Sequence, residues 1–321
     1  MAAKPDLLFL SQRIPYPPDK GEKIRYWPLL NHLSRSYNIH LGCLIDDAAD
    51  SRHVGEVRAL CADAHFVEID ARWSKLACLR GLLTGDALSV SYFANRSLAR
   101  WVARVLREVR PAAIVVCSSN MAPYVLDRDC GDAARLFDLV DVDSEKWRSY
   151  SRTAGAVMRW VYRREWRKTA ALEMRISRTG AWCTFVSSTE AALFKRLLPE
   201  AVGCTRAVEN GVDHTYFDPS MDFSSPLDTD RAQYVFTGTM DYPPNVDAVI
   251  WFAYPKGTSK KYKSEINRDN GWQVLGEGGF EPVRMVAIDE DWSALRFRRV
   301  EHIKTMTRAK ESRMTAQGKA R

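Results

Sequence analysis

Apolar positions in this chain fall into short runs that alternate with longer stretches of helical spacing. Runs rich in Leu, Ile, Val and aromatics predict strands over Leu7–Ser11, Ile39–Ile45, His65–Ile69, Ala113–Cys117, Arg135–Leu139, Trp182–Ser187 and Arg206–Glu209. Between them, helices are predicted over Ile24–Leu33, Gly55–Cys61, Leu98–Val109, Val157–Arg178 and Thr189–Leu197. Strands joined through helices pair in parallel and are covered on both faces. The pattern therefore predicts an α/β protein, with a Rossmann-like, doubly wound domain over residues 1–215.

Punctuation changes after that domain. Asn210-Gly211 and Asp218-Pro219 are turn signals, and residues 216–230 read as a linker. A new strand, Gln233–Phe236, leads into Thr237-Gly238-Thr239, then Asp241-Tyr242-Pro243-Pro244-Asn245 and a helix from about Val246. This β–loop–α pattern reads as the opening of a second Rossmann-like unit over 231–253. Tyr254-Pro255-Lys256-Gly257 then breaks the helix, and aliphatic runs become sparse. A Rossmann domain needs roughly 100–150 residues. The expectation is an incomplete second domain followed by an aberrant or poorly ordered basic tail over 254–321.

Charge sharpens this division. The net charge is +7. Residues 254–321 hold 15 Lys+Arg against 9 Asp+Glu, whereas the other 253 residues hold 32 against 31. A nearly neutral body does not carry a global nucleic-acid footprint, so no nucleic-acid partner is expected. Seven cysteines are widely spaced with no C-x-x-C, which fits a reducing, cytoplasmic setting. Cys43, Cys117 and Cys183 fall in predicted strands and read as core. The run Leu7-Leu8-Phe9-Leu10 is too short for a signal-peptide core and reads as the first buried strand.

The segment Pro15-Tyr16-Pro17-Pro18-Asp19-Lys20-Gly21-Glu22-Lys23-Ile24-Arg25 joins the first strand to the first helix. Ligands of such sheets bind at the carboxyl ends of strands, and a helix start there offers free N–H groups to a phosphate. Gly21 allows close backbone approach, while Asp19, Lys20, Lys23 and Arg25 supply polar groups. A Pro-rich turn with a solvated charge cluster reads equally well.

Four segments in order carry a resemblance: Ser11-Gln12-Arg13-Ile14 running into Pro15–Gly21, Asp138-Leu139-Val140-Asp141-Val142-Asp143-Ser144-Glu145-Lys146-Trp147, Val208-Glu209-Asn210-Gly211-Val212-Asp213, and Phe236-Thr237-Gly238-Thr239-Met240-Asp241-Tyr242-Pro243-Pro244-Asn245. Over residues 6–253 the chain resembles retaining GT-B glycosyltransferases of the glycogen-synthase-like group. Within that group it is most similar to sugar transferases of exopolysaccharide loci associated with PEP-CTERM/exosortase systems. The resemblance implies a nucleotide-sugar donor held by the second domain and a saccharide or lipid-linked acceptor held by the first. Gly238, Thr239 and Asn245 would belong to the donor loop, and Asn210, Gly211 and Asp213 to the interdomain loop. It also implies work at the cytosolic face of the plasma membrane, without a metal or other cofactor.

Asp141 and Asp143 are the candidate catalytic carboxylates. Three readings stay open for them: binding an acceptor hydroxyl, holding a divalent ion on the donor diphosphate, or an Asx-type turn in which Asp143 or Ser144 caps the next helix. Glu165 and Glu173 stand eight apart, the spacing of the family's donor-binding glutamates, yet they fall in a first-domain helix, where the match reads as coincidence. Residues 147–168 interleave Trp147, Tyr150, Trp160, Tyr162 and Trp166 with Arg148, Arg152, Arg159, Arg163, Arg164, Arg167 and Lys168. Such a segment suits an aromatic core face with a solvated basic face, peripheral contact with a membrane surface, or stacking on single-stranded nucleic acid. His214, beside Asp213, is the histidine closest to the expected cleft.

Overall fold

A computed structural model describes residues 3–69, 78, 81, 85–211, 218, 220, 250–262, 266–303 and 313–320. The chain divides into two compact units, Met1–Asp222 and Phe223–Arg321. The first unit is α/β, with a seven-stranded parallel sheet. Its strands are β1 (Asp6–Ser11), β2 (Asn38–Ile45), β3 (Asp63–Glu68), β4 (Ala113–Cys117), β5 (Ala134–Val140), β6 (Trp182–Phe185) and β7 (Thr205–Ala207), in the spatial order β3-β2-β1-β4-β5-β6-β7. All seven predicted strands are present, each end within two residues of its expected place. The order reverses between β1 and β4, so the chain leaves these neighbouring strands in opposite directions and opens a crevice at their carboxyl ends.

Successive residues of a strand face opposite sides. Leu7 and Phe9 of β1 join one buried cluster with Tyr26, Leu30 and Leu41; Leu8 and Leu10 join another with Leu98, Val102 and Ile114. Helix α1 (Gly21–Ser34) covers the first face. A short helix, α2 (Val54–Arg58), adds Val57 to the same cluster. The other face is covered by α3 (Leu88–Phe93), α4 (Arg96–Glu108), α6 (Ala156–Ser177) and α7 (Ser188–Leu197), through residues such as Phe93, Trp101, Leu172 and Phe194, while α5 (Asp143–Thr153) adds no residue to that cluster. Helices α3 and α5 were not expected from periodicity. The α5 sequence, DSEKWRSYSRT, is mostly polar, and tertiary contacts described below hold it. Cys43, Cys117 and Cys183 are buried as expected, and burial raises the Cys183 thiol to about 12.

The second unit is built differently. Strands β8 (Ile250–Pro255), β9 (Phe280–Ala287) and β10 (Trp292–Arg299) form an antiparallel sheet in the order β8-β10-β9. Helix α8 (Gln273–Glu277) carries its neighbour Trp272 against Tyr254, Leu295 and Phe297, with 5.0 Å between the Trp272 and Phe297 ring centroids. Helix α9 (Ala316–Ala320) is started by Glu281, whose Oε1 accepts from the backbone N–H groups of Met314 and Thr315 at 2.8 and 2.7 Å. Two expectations change here. A helix was expected from about Val246; residues 246–249 lie outside the described residues, and Ile250–Pro255 is a strand. Its β-branched and aromatic residues favour a pleated surface paired with β10. Residues 254–321 were expected to be a poorly ordered tail, yet the described residues there hold two strands and a small aromatic core. The expected strand Gln233–Phe236 lies outside the described residues. Among the described residues, no helix is long and apolar enough to cross a membrane.

Candidate functional site

The carboxyl ends of β1, β4 and β5 collect most of the polar chemistry of the first unit. Ser118 and Val140, at the ends of β4 and β5, are non-glycine residues with φ of 77° and 68°. For a β-branched residue such as Val140 this conformation is strained, and strain of this kind clusters at functional sites. The strand ladder also shifts register between Asp138 and Val140. Across the crevice, the Asn120 amide donates to Gln12 Oε1 at 3.4 Å, joining the loops after β4 and β1.

Asp138 is the centre of this edge. It lies inside β5, flanked by Phe137 and Leu139, and is 1% exposed. An unpaired carboxylate could not remain there. The Arg25 guanidinium donates to it bidentately, Nε to Oδ2 at 2.6 Å and Nη2 to Oδ1 at 2.7 Å. The Thr184 hydroxyl adds a third bond at 2.8 Å. Arg25 Nη1 also donates to the Val208 carbonyl at 2.7 Å and to Asn210 Oδ1 at 3.1 Å. Burial alone would lower the Arg25 pKa, but the bonds and charge of Asp138 carry it above the ordinary value.

The β1–α1 loop is equally paired. Lys23 is fully buried and reaches Asp50 at 2.8 Å and Asp19 at 3.4 Å. Arg13 donates to Glu22 and, at 2.7 Å, to Asp46. Lys20 is half-exposed, 3.7 Å from Asp47. Gly21 opens α1, whose N-terminus has no side-chain cap, and a Cβ added at Gly21 would meet open space. Of the expected phosphate-binding cations, Lys23 and Arg25 are therefore committed to internal carboxylates, and Lys20 is the one facing solvent.

Asp141 and Asp143 separate in environment. Asp141 is exposed. The Asp143 carboxylate accepts from the Ser119 hydroxyl at 3.0 Å. Burial raises its pKa, with help from Asp141 and Glu190 and opposition from Lys146 and Ser119. Neither Asp143 nor Ser144 caps α5, contrary to the Asx-turn reading. The cap comes from other helices. Glu173 of α6 accepts from the Ser144 N–H at 3.0 Å and from its hydroxyl at 2.5 Å, and Glu190 of α7 accepts from the Val142 N–H at 2.8 Å. Burial pushes Glu173 up to about 8. Glu165 does the same service for α3, accepting from the Leu88 and Ser89 N–H groups at 2.8 and 3.3 Å. The eight-residue spacing thus matches two buried caps on one helix, so its likeness to a donor motif is accidental.

Sequence reasoning passed over Asp138, Ser119, Glu173 and Glu190 as site residues. Asp138 had a signal: a single carboxylate between apolar neighbours in a predicted strand requires a buried cation. The others had none, since their roles depend on distant segments. Asn210 is joined to Arg25, whereas Gly211 is exposed with no role in this cluster. Asp213, His214, Gly238, Thr239 and Asn245 lie outside the described residues.

No protein-family model and no curated protein matches this chain. Among solved structures, the chain is similar to a crystal structure of TcCGT1 in complex with UDP, at 12% identity and a TM-score of 0.40. The match covers 67% of this chain and 55% of that one, so the chain spans about half the length of that structure.

Proposed function

We propose that this chain is a sugar transferase, moving a sugar from a nucleotide-sugar donor to a saccharide or lipid-linked acceptor. One observation carries the reading. One guanidinium, that of Arg25, four residues past the first segment of the resemblance, ties the second and third together, bonding Asp138 of the second and Val208 and Asn210 of the third. That junction lies at the edge where α/β sheets bind ligands.

In this reading Arg25 and Lys23 are positioning residues. Lys20 and the uncapped start of α1 at Gly21 face the donor phosphates, where N–H groups stabilise the departing diphosphate. Asp143, buried beside Ser119, and Asp141 face the acceptor hydroxyl. Gly238, Thr239 and Asn245 hold the donor, no metal takes part, and transfer retains configuration. In this reading the reaction belongs to exopolysaccharide synthesis of the PEP-CTERM/exosortase-associated kind, at the cytosolic membrane face, as the sequence resemblance implies.

A second reading, a non-catalytic remnant that binds an acceptor, is favoured by the antiparallel sheet of the second unit, since among its described residues no neighbouring strands pair in parallel. Calorimetric titration with UDP and with GDP separates the two. Binding of either, together with release of that nucleotide from a matching nucleotide sugar, supports the transferase. Binding of neither at millimolar concentration overturns it.

A further inference from the structure

Helices α5 and α6 form a hairpin that extends beyond the carboxyl edge of the first sheet. Glu173, bonded to Ser144 just after β5, marks the level of that edge on α6. Val157 lies 16 residues earlier, about 24 Å along the helix at its rise per residue. Ring contacts hold the hairpin together: Trp147 stacks on Tyr162 at 5.8 Å and meets Tyr150 edge-on at 5.9 Å, with Arg148 over Trp166 at 5.3 Å. These aromatics are half-buried, which satisfies the core-face reading for them.

Trp160 does not fit that reading. It is 61% exposed, with Val157 at 77% and Met158 at 45% beside it. Three large apolar side chains are thus exposed within four residues at the start of α6, and clustered apolar exposure marks an interaction site. The charge around them is one-sided. Residues 146–178 contain ten Lys and Arg and two carboxylates, Glu165 and Glu173, both buried as caps. Arg152, Arg159, Arg163 and Arg167 are exposed, and among the described residues none of them pairs with a carboxylate. An open cleft of about 410 Å³ lies between Trp160, Arg163, Arg164, Arg167 and Lys168.

We propose that this hairpin tip docks on an anionic lipid bilayer. Val157, Met158 and Trp160 enter the boundary between headgroups and acyl chains, and Arg159, Arg163 and Arg167 bind lipid phosphates. Charge complementarity selects the anionic surface. The aliphatic pair Val157 and Met158 selects a bilayer over single-stranded nucleic acid, which needs stacking rings rather than aliphatic wedges. The proposal stands independently of the sugar-transfer reading. Docking here would turn the carboxyl edge of the sheet, with Lys20 and Asp143, toward the membrane.

The test is co-sedimentation of the full chain with vesicles of phosphatidylcholine, with and without phosphatidylglycerol. The expected result is binding that requires the anionic lipid and is released by high salt. The triple change Arg159→Gln, Arg163→Gln and Arg167→Gln should weaken it at least about tenfold. Met158→Ser with Trp160→Ser should also weaken it. All five positions are exposed, so circular dichroism should be unchanged, which checks that the variants fold. A control that removes Arg100, Arg104 and Arg107 from α4 should bind like the parent. Equal binding by the triple variant and the parent would overturn the proposal. So would tighter binding to a single-stranded oligonucleotide than to anionic vesicles.

Discussion

The β1–α1 segment and the outer half of α6 are both rich in Arg and Lys, and they use them in opposite ways. In the first, Arg13 meets Glu22 and Asp46, Lys23 meets Asp50, and Arg25 meets Asp138. In the second, Arg159, Arg163 and Arg167 stand in solvent around an exposed Trp160. A buried cation survives only with a carboxylate beside it. A cluster of bases at a sheet edge therefore builds architecture, and a cluster on a protruding helix remains available to a partner.

The largest expected effect breaks the buried half of this contrast. Asp138→Ala should strand the Arg25 guanidinium and cost about 3–5 kcal/mol in urea unfolding. Pairing Asp138→Leu with Arg25→Met should recover most of that loss, because no charge is then left unpaired. A double variant as unstable as the single one would show that the pair does more than neutralise itself.

Lys23→Met comes next, at about 2–4 kcal/mol, since it leaves Asp50 buried without its cation. A loss below about 1 kcal/mol by the same measurement would place Lys23 with the solvated bases of α6.

Glu173 extends the contrast to pH. Its native pKa of about 8 lies above its ordinary value of 4.5. A carboxyl with a raised native pKa favours the fold below its unfolded pKa and loses that contribution as pH rises through the native pKa. Stability should therefore fall between about pH 4.5 and 8, with a limiting slope of about 1.4 kcal/mol per pH unit from this group. Glu173→Gln keeps an acceptor for the Ser144 N–H and a donor for its hydroxyl. It should flatten the slope and leave the variant more stable than the parent at pH 8. Parallel stability curves for the two proteins would rule this out.

The smallest expected effect belongs to the exposed half. Arg163→Gln with Arg167→Gln should change stability by no more than about 0.5 kcal/mol. A loss of 2 kcal/mol would mean that these bases are structural after all.

Much of this molecule is legible in its sequence. The central strands of the first unit were readable because a parallel sheet is buried on both faces, so β1 and β4 are continuous apolar runs, Leu7–Leu10 and Ile114–Cys117. Helix α5 was not readable: its polar sequence is held by Glu173, Glu190 and Tyr162, through contacts spanning 12 to 48 residues of chain. The small sheet of the second unit escaped for a related reason. Its strands are partly exposed and β10 is rich in Arg, so Arg296 and Arg298 read as a basic tail until Tyr254, Trp272 and Phe297 are seen to pack together.

By itself the sequence determined the α/β class, the strand count of the first unit and the break near residue 220. Periodicity and turn residues are local signals, and these features follow from local physics. Only the tertiary structure decided which charges are committed and which are free. Lys23, Arg25, Arg163 and Arg167 are alike as letters; their roles depend on whether a carboxylate from a distant segment shares their low-dielectric surroundings.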